Sequence, residues 1–256
     1  MLKRTDDYDS VFQQHESNRE AQFAEVWTEQ LNDTFSDIAR YYDRANNVAS
    51  LGQWNRFLNA FMSIIELRPG QEVLDLCAGT NAVGLELLRR QPDLTVTAMD
   101  RSRAMQEVGR QSALKQGTPI ESVIGDAHHL PFPDNNFDIV TLQWASRHLR
   151  IEDVLREVQR VLRPGGSFYH CDMLRPANPL VARAYYTFLR GSLEVTSRLF
   201  ASGAEATRQK AYFIETLSQF YSAAELSEML RGLGYVHVAD KTVLMGMIGF
   251  HRASKP

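Results

Sequence analysis

The chain has 256 residues, 44% of them hydrophobic and 23% charged, with a formal net charge of −3. That length gives room for a sizeable core, and the slightly acidic balance carries no electrostatic footprint for nucleic acid. Two cysteines, Cys77 and Cys171, make neither a disulfide framework nor a metal-spaced pair, so a reducing cytoplasm is the expected home.

The amino terminus leads into polar sequence with no signal-peptide core, and no apolar run approaches the roughly 18 residues of a membrane span. Residues 1–35 are polar with scattered aromatics, Phe12, Phe23 and Trp27, and read as a helical extension. Helical spacing of apolar residues over 34–67, broken near Asn46-Asn47 and Gly52, predicts two or three helices. After the Arg68-Pro69-Gly70 turn the character changes. Strands are expected at 72–76, 94–100, 122–124, 137–142 and 167–172. Between them lie helices at 83–90, from the N-cap Ser102 to about 116, and at 152–162, the last closed by Arg163-Pro164-Gly165-Gly166. A long aromatic-rich helix follows over 179–200. Another runs over 221–233, with Ser222 and Glu225 at capping-box spacing. Two closing strands over 236–241 and 243–250 complete the pattern as a hairpin.

Strand and helix alternate with short connections. The expected fold is therefore α/β: a doubly wound, seven-stranded, mostly parallel sheet with a C-terminal antiparallel hairpin and an N-terminal helical extension. No linker or repeat divides the chain. One domain is expected, with a helical cap at 1–67, a ligand-binding core at 68–175, a helical lid at 176–220 and closing elements at 221–256.

Ligands of such sheets bind beyond the carboxyl ends of the strands. The first strand ends at Asp75 and Gly79, whose missing side chain permits close backbone approach. The second ends in Asp100, a carboxylate able to accept hydrogen bonds from both hydroxyls of a ribose. Asp126 follows the third strand, suited to an amino group such as that of adenine; Gln143 and Trp144 follow the fourth. The dinucleotide fingerprint G-x-G-x-x-G is missing: the loop offers only Gly79 and Gly84. A nucleoside without phosphates needs no such cradle, and S-adenosylmethionine fits the set better. His128-His129 is a poor metal pair because adjacent side chains diverge, so no metal is expected. The charges of Arg89-Arg90, Arg160 and Arg163 are read as solvated helix faces.

Several segments together resemble a known family. They are Tyr41-Tyr42-Asp43 with Asn46-Asn47; residues 73–80, Val-Leu-Asp-Leu-Cys-Ala-Gly-Thr; residues 130–138, Leu-Pro-Phe-Pro-Asp-Asn-Asn-Phe-Asp; Arg147-His148; and residues 160–166, Arg-Val-Leu-Arg-Pro-Gly-Gly. The chain resembles class I methyltransferases of Rossmann-like fold over roughly residues 35–250. More narrowly, it resembles the ubiquinone/menaquinone biosynthesis C-methyltransferases. It departs from that family at Asn81-Ala82, at His148 where Asn is usual, and over 191–219. The resemblance implies S-adenosyl-L-methionine as cofactor, touched by Tyr42, Asp75, Gly79, Asp100, Arg101, Asp126, Ala127 and Gln143. It implies C-methylation of a small quinone- or phenol-like acceptor. O- or N-methylation of another metabolite, and a catalytically silent cofactor-binding protein, stay open as alternatives. In the expected mechanism Arg147 stabilises a phenolate and His148 takes its proton. Tyr185, Tyr186, Phe188 and Phe200 divide evenly between core and a lid over an apolar acceptor. Peripheral membrane contact through 179–200 and a homodimer are both compatible with the sequence.

Overall fold

The computed structural model describes residues 5–27, 31–118, 120–200 and 204–256. Parts of the expected N-terminal extension, 1–4 and 28–30, and of the lid, 201–203 with the side chain of Phe200, lie outside the described residues. Four helices come first: α1 (Thr5–Glu25), α2 (Leu31–Ile38), α3 (Tyr42–Ala49) and α4 (Trp54–Met62). The alternating core follows as β1 (Glu72–Leu76), α5 (Ala82–Arg90), β2 (Thr95–Asp100), α6 (Arg103–Gln116), β3 (Glu121–Ile124), β4 (Phe137–Gln143), α7 (Ile151–Val161) and β5 (Leu162–Met173). Then come α8 (Pro179–Phe200), α9 (Ala204–Ser218), α10 (Ala223–Gly232), β6 (Val236–Val243) and β7 (Ile248–Ser254).

Period-two alternation explains the sheet. β1 sends Val73 into one core and Leu74 and Leu76 into the other, all fully buried. A strand apolar on both faces takes the centre of a parallel sheet. The order is β3-β2-β1-β4-β5-β7-β6, with β7 antiparallel to both of its neighbours. One face is covered by α4 and α5 through Phe61, Met62, Val83, Leu87 and Leu88. The opposite face is covered by α7 and α10 through Val154, Leu155, Val158, Leu226, Met229 and Leu230. Helices α8 and α9 build a smaller apolar cluster from Tyr185, Leu189, Ile214 and Leu217. Strand order reverses between β1 and β4, so their carboxyl ends flank the crevice.

The structure differs from expectation in three places. The Arg163-Pro164-Gly165-Gly166 segment does not simply end a helix. It lies within β5, with a register shift opposite Phe137 and Ile139, and Gly165 N–H donates to the Lys255 carbonyl at 2.9 Å. A Cβ on Gly166 would sit 2.8 Å from the Arg163 carbonyl oxygen, which is why the irregular strand needs glycine there. Second, the expected helical lid at 176–220 is built from two helices, although only 179–200 reads as a helix by its own pattern; the apolar residues of α9 pack on α8 rather than on the sheet. Third, Arg160 is no solvated helix face. Its guanidinium donates to the carbonyls of Leu130 (3.0 Å) and Phe132 (2.8 Å) and to Asp134 (2.9 Å), pinning the 130–136 loop to α7. Arg163 pairs with Asp138 at 2.6 Å. The capping box at Ser222 and Glu225 and the N-cap at Ser102 stand as expected.

Candidate active site

Backbone strain gathers where β1 and β4 end. Cys77, Asn81 and Trp144 all hold positive φ, at 54°, 61° and 60°. Non-glycine residues hold such angles at a cost of roughly 1–2 kcal/mol each, so the surrounding fold must over-determine them. Asn81 is fully buried: its side chain occupies the space that a Cβ on Gly109 would enter, and Gln106 donates to its Oδ1 at 2.9 Å. The Asn81 departure thus keys the start of α5 onto α6. Gly79 has φ 53°, and a Cβ there would meet Met105 Cε at 3.3 Å. The positive φ is what favours glycine, since the flexible end of Met105 could shift by a few tenths of an ångström.

The Gly79 amide donates to Asp100 Oδ2 at 2.8 Å, and the Ser102 amide donates to Oδ1 at 2.8 Å. Each carboxylate oxygen has a second acceptor site, so Asp100 is fixed by backbone yet keeps capacity for a ligand diol. Burial raises its pKa, while those amide bonds oppose the rise. Asp100 lies on a cavity of about 490 Å³, within the ~300–1,000 Å³ of small-molecule sites. Tyr42, Gly79, Arg101, Asp126, Ala127 and Gln143 line the same cavity. Asp75 lines an adjoining pocket of about 50 Å³ that shares Tyr42, Gly79 and Gln143 with the first. The eight cofactor residues expected from sequence therefore meet around two adjoining spaces.

The three carboxylates differ. Burial pushes Asp75 up to about 7, against hydrogen bonds from the Thr141 hydroxyl (2.8 Å) and the Gly84 amide (3.1 Å). Asp126 is held well below the usual carboxylate range by His128, whose Nδ1 lies 2.6 Å away. An acidic lining suits a ligand bearing ammonium and sulfonium charges and repels a pyrophosphate. The chemistry of the residues present fits S-adenosylmethionine, which carries a ribose, an adenine and a cationic tail but no phosphate.

Of the two expected catalytic residues, His148 lines the cavity and Arg147 is not among the lining residues. His148 is buried in a short 3-10 turn after β4. Its Nδ1 lies 2.7 Å from the Tyr212 hydroxyl of α9, and the two rings stack. Burial, then the charges of Arg147 and Arg19, holds its pKa well below 6.5, so it is a neutral imidazole near pH 7. Arg147 points under the lid: Nη1 pairs with fully buried Asp172 at 2.7 Å, and Cζ sits 4.6 Å from the Phe213 ring centroid. Its Nε has no hydrogen-bond partner among the described residues. Asp172 is itself tied to the Ser146 amide at 2.8 Å and the Met173 amide at 2.7 Å.

Of the expected lid aromatics, Tyr185 is buried between α8 and α9, Tyr186 is half-buried and Phe188 is largely exposed. Cys171 is buried; Cys77 lines the cavity, and burial raises both thiols, leaving them unreactive. His128 is engaged with Asp126 and accepts the Arg150 amide at 3.2 Å. Among the described residues no group of three His, Cys, Asp or Glu could hold a metal ion. Sequence reading missed Trp27, Phe35, Asp172 and Tyr212. Phe35 meets His148 edge-on at 6.2 Å, and Trp54 stacks on Trp144 at 5.4 Å. Asp172 alone carried a signal, an acid at the end of a predicted buried strand.

The model of the ubiE/COQ5 methyltransferase family matches residues 23–255. A demethylmenaquinone methyltransferase of Symbiobacterium thermophilum is 31% identical, covering 88% of this chain and 92% of that one. The ubiquinone/menaquinone biosynthesis C-methyltransferase UbiE of Ectopseudomonas mendocina is 32% identical, covering 89% and 90%. Among solved structures, an S-adenosylmethionine-dependent methyltransferase from Aquifex aeolicus aligns with a TM-score of 0.56 at 17% identity, over 83% of this chain and 98% of that one.

Proposed function

From the premise that this chain belongs to the ubiE/COQ5 methyltransferase family, we propose that it transfers a methyl group from S-adenosylmethionine to a ring carbon of a demethylated quinol. The single observation that carries the reading is a neutral, buried His148 on the wall of the Asp100 cavity, among Phe35, Tyr42 and Trp144. Bound S-adenosylmethionine supplies a methyl carbon made electrophilic by its sulfonium. The protein supplies the rest. Asp100 holds the ribose, and Asp75 balances the ammonium. In the tautomer whose Nδ1–H donates to the Tyr212 oxygen, His148 Nε2 carries a free lone pair. It takes the phenolic proton, so electron density moves to the ring carbon; that carbon forms the new C–CH₃ bond as the S–CH₃ bond breaks and S-adenosylhomocysteine leaves, and loss of the carbon's proton to water restores aromaticity. Arg147 does not need to touch the acceptor. Burial raises the phenol pKa of Tyr42, Tyr185 and Tyr212, and the charge of Arg147 opposes that rise; the same charge favours a phenolate on the acceptor.

No helix among the described residues is long and apolar enough to cross a membrane. On α8, exposed Leu180, Phe188 and Val195 run beside Arg183, Arg190 and Arg198, which supports peripheral contact with a bilayer that delivers a prenylated acceptor. The reading puts the enzyme in the cytoplasm.

The test is incubation with short-chain demethylmenaquinol and a trideuteromethyl donor. A product heavier by one CD₃, bonded to ring carbon by NMR, is expected. An O-methyl ether, or turnover only with a different acceptor, would overturn the assignment.

Asp75 adds a pH dependence. A carboxyl whose pKa is near 7 loses its charge as pH falls through 7, and with it the counter-charge for the ammonium. Donor affinity is expected to drop as pH goes from 8 to 6, by up to about tenfold per unit below 7. The ligand-free protein moves oppositely. A raised carboxyl pKa contributes stability fully present below 3.8 and lost as pH rises through 7. Calorimetric titrations at three pH values, with Asp75→Asn as control, check the first effect; a pH-flat wild-type affinity contradicts it.

A further inference from the structure

We propose that Arg19 of α1 is a positioning residue of the acceptor site, clamping the backbone of the 144–150 loop so that Arg147 and His148 are held against the lid. The proposal rests on the reading of His148 as the acceptor-site base.

Most of α1 precedes the span matched by the family model, which begins at residue 23. Yet Arg19 is 0% and Glu16 1% exposed, the deepest burial of charge in the helical cap. Arg19 Nη2 donates to the Arg147 carbonyl oxygen at 2.8 Å, and Nη1 donates to Glu16 Oε1 at 2.5 Å. The Tyr221 hydroxyl donates to the same Glu16 oxygen at 2.8 Å. The guanidinium lies 5.0 Å from the Phe220 ring centroid, 5.3 Å from that of Trp27 and 5.7 Å from that of Tyr221. Buried ion pairs contribute little net stability against an apolar replacement of the same volume. What this pair does provide is geometry, because a planar fork can satisfy a carbonyl and a carboxylate at once only in one orientation.

Adjacent to Arg19 on α1, Glu20 pairs with Arg150 at the far end of the same loop. Glu20, Ala24 and Trp27 also line the donor cavity. α1 therefore grips the loop at two points while walling the cofactor space. The clamp is also electrostatic. The groups facing His148 are Arg147 in its own turn, Arg19 from α1, Tyr212 from α9 and, behind Arg19, the carboxylate of Glu16; Phe35 of α2 adds only an apolar edge. Both arginines disfavour protonation of the imidazole.

Two variants separate charge from geometry. In Arg19→Met, the His148 titration followed by imidazole NMR, assigned with His148→Gln, is expected to move to higher pH. Its kcat with short-chain demethylmenaquinol should fall about tenfold, with donor affinity within about threefold of wild type, as for a misplaced catalytic loop. In Arg19→Lys, the titration is expected to stay near wild type while kcat still falls, because the fork is lost. An unmoved His148 titration in the Met variant, or wild-type kcat in the Lys variant, would overturn the proposal. If the Met variant does not fold, the Lys variant decides alone. Full turnover of His148→Gln beside impaired Arg19→Lys would remove the base reading and leave the clamp standing.

Discussion

Asp100→Ala is expected to weaken S-adenosylmethionine binding by about a hundredfold or more. Two charge-assisted hydrogen bonds to a ribose diol contribute roughly 1.5–3 kcal/mol each, and 1.4 kcal/mol is a factor of ten. The substitution also frees the Gly79 and Ser102 amides that Asp100 accepts from, so the loop that approaches the donor loses its anchor. Asp100→Asn keeps one acceptor oxygen and should fall between the two. Calorimetric titration, with thermal melts to establish folding, checks both. Unchanged affinity in a folded Asp100→Ala protein would mean that the crevice between β1 and β4 is not the donor site.

Arg147→Ala is expected to cost both stability and turnover. The substitution strips fully buried Asp172 of its cation, and breaking a buried pair from one side costs about 3–5 kcal/mol. For a domain of this size that is a fall in Tm of roughly 10 °C. A residue that only met the acceptor would leave Tm almost unmoved, so the melt distinguishes the two roles. Arg147→Lys keeps a charge near Asp172 but not the stacking on Phe213, and should lose less stability than the alanine variant. A wild-type Tm in Arg147→Ala would show that the Asp172 contact contributes nothing.

Much of this architecture was legible in the residues. Alternation at Val73, Leu74 and Leu76 marks a strand buried on both faces, and Asp75, Gly79, Asp100 and Asp126 fall at strand ends because that is where an α/β sheet opens to ligand. The capping box at Ser222 and Glu225 is local chemistry, so sequence alone suffices for it. What sequence could not show depends on long-range contact. Tyr212 reaches His148 across 64 positions and Arg19 reaches Arg147 across 128, and neither residue has a local pattern that points to its partner. By residue type alone Arg147 reads as stabilising a substrate phenolate and Arg160 as a solvated helix face. Tertiary hydrogen bonds to Asp172 and to the 130–136 loop decide where they sit. The β5 irregularity at Gly165-Gly166 reads as a turn in sequence because glycines serve bulges and turns alike.

The most direct test of the central claim is a crystal structure of the protein with S-adenosylhomocysteine and a short-chain demethylated quinol. The account predicts the ribose on Asp100, the adenine beside Asp126, and a ring hydroxyl within hydrogen-bond reach of His148 Nε2. A nucleoside bound elsewhere, or an acceptor ring far from His148, would contradict it.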